Sequence, residues 1–209
     1  MYLDDLNSMV NSELTPIRLS ALFSGISAGY RQRATVVEQF PDRKIGRQYW
    51  PQYRRAAIES AMLLLEDRGV GISTKLVSAA KGDACYVEIQ LGRLLLVECI
   101  TRSPNDLPRR ATSRYTLARD GQLRLFDENS SLVPLMNSRP DIVFGVLAHY
   151  PSKEDHTKPA FVRLQIPDPE CSRIIVNRDL LEFHASKERG STPQIVIPTA
   201  ISIKSTNQQ

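Results

Sequence analysis

Between residues 52 and 68 apolar side chains recur at intervals of three and four: Ala57, Ile58, Ala61, Met62 and Leu65. Arg54, Arg55, Glu59, Glu66 and Asp67 fill the positions between them, which is the pattern of an amphipathic helix. Pro51 before this stretch and Gly69 after it predict its two ends. Upstream, Leu3, Leu6, Met9 and Val10, and then Leu19, Leu22, Phe23, Ile26 and Tyr30, show the same helical spacing. Thr15-Pro16 reads as an N-cap followed by proline in the first turn. Residues 31–48 are polar and basic, carry Pro41 and Gly46, and read as a connector.

From about residue 72 the period drops to two, the signature of strands. Strands are predicted over 72–79, 84–91, 93–101, 141–150, 159–166 and 194–203, with turns at Lys81-Gly82-Asp83 and Gly92. Residues 114–118 and 122–126 fit a hairpin around Asp120-Gly121; the same stretch also fits a short helix ending at Gly121. Residues 141–150 are apolar on both faces and so belong at the sheet centre, with Gly145 at a bulge or a close approach. Pro198 marks the last strand as an edge. Asn177 is the expected cap of a short helix over 178–187.

These elements predict an α+β fold, with N-terminal helices packed on a mostly antiparallel sheet of about six to eight strands. The expected organisation is a helical segment and basic connector over 1–48, a core over 49–203 and a frayed tail over 204–209. A chain of 209 residues with 42% apolar side chains has enough material for one sizeable core. Its longest apolar runs, 61–65 and 94–97, are far too short to span a bilayer. The first ten residues carry two aspartates where a secretory signal is basic, so a cytoplasmic location is expected. The three cysteines show no C-x-x-C spacing, which indicates neither a disulfide framework nor a zinc knuckle.

Charge changes this picture more than composition does. The net charge is +4, but residues 31–56 hold seven basic groups against two acidic ones, and residues 102–124 hold six against two. Clustering of this kind is a footprint for an acidic partner. The candidate nucleic-acid-binding residues are Arg43, Lys44, Arg47, Arg54, Arg55, Arg109, Arg110, Arg114 and Arg119. In 43–55 they interleave with Tyr49, Trp50 and Tyr53, a combination suited to phosphates and stacked bases. The expected surface gathers both segments into one patch. Trp50 is expected to anchor its helix against the sheet.

The carboxylates supply the competing chemistry. Glu88 and Glu98 lie on consecutive strands, and a three-residue turn would put them on one face, whereas a two-residue turn separates them. Glu88-Ile89-Gln90 resembles the E-x-Q variant of the PD-(D/E)XK nuclease core, which also begins with a helix and continues as a β-meander. That resemblance implies Mg²⁺ held by Glu88 and Glu98, with Asp83, Glu59 and Gln90 as further members of the site. The spacing departs from the family: Asp83 stands only five residues before Glu88, and no lysine follows either glutamate. Residues 54–70 resemble the opening helix of TetR-type repressors, but strand follows where two more helices are required. His149, His156 and His184 show no ligand pairing and read as loop or helix-end residues.

The leading expectation is therefore a non-catalytic binding protein, without a cofactor, for nucleic acid or an acidic protein. The alternatives are a divergent metal-dependent nuclease and a structural subunit whose basic faces meet acidic neighbours.

Overall fold

Thr15 opens the long second helix: its hydroxyl accepts from the Arg18 amide at 3.4 Å, and Pro16 sits in the first turn, where its missing N–H costs nothing. The computed structural model describes residues 3–66, 69–78, 85–108, 114–118 and 142–189. In chain order the helices are α1 (Leu3–Glu13), α2 (Pro16–Glu38), α3 (Arg43–Leu63) and, at the far end, α4 (Leu180–Glu188). Between α3 and α4 run β1 (Ser73–Ser78), β2 (Cys85–Leu91), β3 (Leu94–Ile100), β4 (Val143–Pro151), β5 (Pro159–Pro167) and β6 (Ile174–Asp179). The six strands make one sheet in sequence order. Every neighbouring pair is antiparallel except β3 and β4, which run parallel. The architecture is α+β, with a strand count at the low end of the expected range.

Helices cover one face of the sheet. Ile26, Ile58 and Met62 pack there against Ile89, Leu96 and Leu147, all fully buried. Each such side chain contributes about 1.5–3 kcal/mol on removal from water. On the opposite face Val97, Phe144 and Val146 form a smaller cluster with Ala118. β4 is central, as its two-faced apolarity predicts. Gly145 is a close approach: a Cβ there would stand 2.9 Å from Leu164 Cδ1.

Several expectations are corrected. Most of 31–48 is helical, because α2 continues to Glu38 and α3 begins at Arg43. The Asp42 carboxylate caps α3 by accepting from the Lys44 amide at 2.6 Å. α3 then runs through Pro51 and stops at Leu63, rather than spanning 52–68. A proline inside a helix removes one donor, and here packing along α2 outweighs that loss. A Cβ on Gly29 would lie 2.6 Å from Ile58 Cα, so the two helix backbones are in direct contact at that point. Residues 114–118 are helical rather than a strand. The partner strand 122–126 and the edge strand 194–203 lie outside the described residues. β6 was not anticipated, since its apolar run is only three residues long. Asp179, not Asn177, caps α4, accepting from the Leu181 and Glu182 amides at 3.0 and 3.1 Å.

Candidate anion-binding pocket

Contact at Gly29 brings Tyr30 and Arg33 of α2 beside Arg54 of α3, because Arg54 is one turn before Ile58 and Tyr30 and Arg33 share a helix face. The third wall is the end of β4 and the turn after it. Arg33, Arg54, Tyr150, Pro151, Ser152, Lys153 and His156 enclose a pocket of about 210 Å³. None of these residues is a carboxylate.

The turn is built to present its basic residues. Ser152 accepts from the Glu154 and Asp155 amides, and its own amide bonds to the Lys158 carbonyl at 2.9 Å. Asp155 takes the Thr157 amide at 2.9 Å and hydroxyl at 2.5 Å, and pairs with Lys158 at 3.0 Å. Hydrogen bonds from Thr157, with Lys158 alongside, hold its carboxyl down at about 2. Of the turn's two acids, Asp155 is thus committed within the turn and Glu154 is exposed, while Lys153 and His156 line the pocket.

Arg33 is only 2% exposed. Burial and, after it, the neighbouring Arg54 charge lower its guanidinium to about 10, with Tyr30 opposing. Arg54 lies 5.9 Å from the centre of the Tyr150 ring, and its Nε is buried with no hydrogen-bond partner among the described residues. Two guanidinium groups side by side repel, so the pocket holds a field that an anion relieves.

Tyr30, three residues before Arg33, opens a buried polar chain. The Tyr30 hydroxyl is 2.8 Å from His149 Nδ1, and His149 Nε2 is 2.7 Å from Glu98 Oε1. A ring proton on Nε2 turns a donor toward the Glu98 carboxylate, which only accepts, and the tautomer with Nδ1 free of its proton accepts from the Tyr30 hydroxyl. The contact to Glu98 is close but does not meet hydrogen-bond geometry. Burial raises the Tyr30 phenol well above its ordinary value, opposed by Arg54 and reinforced by Glu98.

The predicted site residues fall in several places. Glu88 pairs with Val97 across a two-residue turn, which puts Glu88 and Glu98 on opposite faces of the sheet. The shared two-carboxylate site therefore does not form. Glu98 faces the helices, where Glu59 is held up by burial despite its bond to Arg55 at 2.9 Å. Glu88 accepts from Tyr86, and the Gln90 amide bonds to the Gly92 carbonyl. Asp83 lies outside the described residues. Among the described residues no group of three His, Cys, Asp or Glu is placed to hold a metal ion.

Among the predicted basic residues whose side chains are described, Arg54 alone lines the pocket. Arg55 bonds to Glu59 and to the Cys85 carbonyl, and Lys44 is exposed at the start of α3. Arg114 donates to Cys99 Sγ at 3.4 Å, on the sheet face opposite the helices. Arg54 and Arg114 thus belong to different sides of the molecule, and the single surface joining both segments is not formed by them. Arg109, Arg110 and Arg119, and the side chains of Arg43, Arg47, Tyr49 and Trp50, lie outside the described residues.

His149 is a buried strand residue, not a loop or helix-end one. Arg33, Lys153, His156 and the Tyr30–His149–Glu98 chain were missed as a group. One signal was available: Glu98 is the one carboxylate of its strand and His149 the one imidazole of its own, both strands being otherwise largely apolar. Among known proteins, no family, no curated protein and no solved structure matches this chain. Among the described residues no helix is long and apolar enough to cross a membrane.

Proposed function

We propose that this chain is a non-catalytic binding protein that engages nucleic acid through its phosphates, at the pocket between α2, α3 and the β4–β5 turn. The observation that carries this reading is the convergence of buried Arg33 with Arg54, Lys153 and His156 around a space that no acidic residue lines among the described residues. Arg33 is held 2% exposed beside the like charge of Arg54, and a bound anion relieves the repulsion between the two guanidinium groups. Guanidinium groups present fixed forks that match phosphate oxygens. The Tyr150 ring beside Arg54 adds a face on which a sugar or base can rest.

Binding of labelled single-stranded DNA and RNA, followed by fluorescence anisotropy, tests the reading. With three or four phosphate contacts, affinity falls about 20- to 50-fold between 50 and 200 mM salt. Arg54→Gln weakens binding by about tenfold, the effect of losing roughly 1.4 kcal/mol. Absence of binding at 50 mM salt, or binding indifferent to salt, removes the proposal. Tighter capture of an acidic peptide than of any strand transfers the pocket to an acidic protein partner.

A further inference from the structure

We infer that the pocket takes the terminal phosphate monoester of a nucleic-acid strand, not an internal phosphodiester; this rests on the reading above and narrows it. Size is the first argument. Sites that enclose a whole small molecule span roughly 300–1,000 Å³. This pocket, at about 210 Å³, is smaller and accommodates a group rather than a molecule. Arg33, one of its lining residues, is only 2% exposed. A phosphate within a strand carries a sugar on each side, and both must leave the site, whereas a terminal phosphate enters with one connection trailing outward.

Charge is the second argument. A phosphate monoester carries about −1.5 to −2 at pH 7 and three strong acceptor oxygens. A diester carries a single charge and two free oxygens. Arg33, Arg54 and Lys153 come from three different elements, so their positive groups approach from separate directions. That number suits a dianion with three oxygens and exceeds what a diester needs. The third argument is Arg54 itself, whose buried Nε has no hydrogen-bond partner among the described residues. A phosphate oxygen in the pocket supplies the missing acceptor.

The test uses the full chain and short single strands of DNA and RNA that differ only in their ends: 5′-phosphate, 3′-phosphate, or hydroxyl at both. The expected result is binding about tenfold or more tighter for one phosphorylated end than for the hydroxyl-ended strand at pH 7.5. The advantage shrinks at pH 5, where the monoester regains its second proton (pKa about 6). His156 faces both strands alike, so the ratio between them isolates the ligand's proton. Lys153→Ala, at an exposed position, and Arg54→Gln both abolish the advantage. Equal affinity for phosphorylated and hydroxyl-ended strands, with both weakened by Arg54→Gln, overturns the inference and leaves the nucleic-acid reading standing. An end preference that survives both substitutions places the terminal phosphate elsewhere and also overturns it. No binding of any strand overturns the reading and the inference together.

Discussion

Tyr30 shows how one residue couples the core to the surface of this protein. Its hydroxyl meets His149 inside the helix–sheet core, while its ring lies 6.0 Å from the guanidinium of Arg33, which lines the pocket. Tyr30→Phe leaves His149 Nδ1 buried without its donor, which costs about 1–3 kcal/mol. Urea unfolding measures this, and a variant as stable as the parent shows the bond to be unimportant. The phenol also has an optical signature. The chain has seven tyrosines, and burial keeps Tyr30 protonated where an exposed phenol ionises near 10. A raised phenol pKa withdraws stability as pH climbs past 10. The lowered Arg33 returns stability from about 10 upward, so the two oppose each other. Absorbance, not the unfolding midpoint, is therefore the readout: alkaline titration of the folded protein leaves Tyr30 un-ionised, and Tyr30→Phe does not reduce the rapidly titrating amplitude. A loss of one tyrosine's amplitude in that variant contradicts the burial.

At the scale of elements, the pocket depends on how closely α2 and α3 approach. Gly29 has no side chain to hold the helices apart, and Ile58 fills that space with its backbone. Gly29→Ala would gain helix propensity on an isolated helix. Here the added methyl meets backbone at 2.6 Å, so the helices must separate. The expected outcome is a loss of roughly 1–3 kcal/mol in stability together with weakened anion binding. A stabilised variant with unchanged binding disproves the claim that this contact positions Arg33 against Arg54. α3 shows the same priority of packing over local signal, since it runs through Pro51 while lying along α2.

For the whole molecule, the pocket links anion binding to stability. Arg33 is buried, next to a like charge, and below its ordinary pKa. Arg33→Met removes one of the two like charges at the pocket, and its response to phosphate, not its melting temperature in plain buffer, is the readout. The parent's melting temperature rises with added inorganic phosphate, following the linkage between ligand concentration and dissociation constant. Arg33→Met loses most of that rise. An Arg33→Met protein that still responds fully to phosphate rules out Arg33 as part of the anion site.

Local sequence determined the helical and strand periods, the Thr15 cap, the central place of β4 and the α+β class, because each depends on neighbours a few residues apart. It also pointed to Arg54, one member of a basic run. What it left open was set by contacts distant along the chain. A choice between two turn lengths decided whether Glu88 and Glu98 share a face, and Gly92 and Arg93 resolved it toward opposite faces. Tyr30 meets His149 across 119 positions, and Arg33, Arg54 and Lys153 converge only because α2, α3 and the β4–β5 turn pack together. Side-chain period tells which residues are buried; which buried or basic residues meet is decided by packing, and packing acts between elements that sequence proximity does not relate.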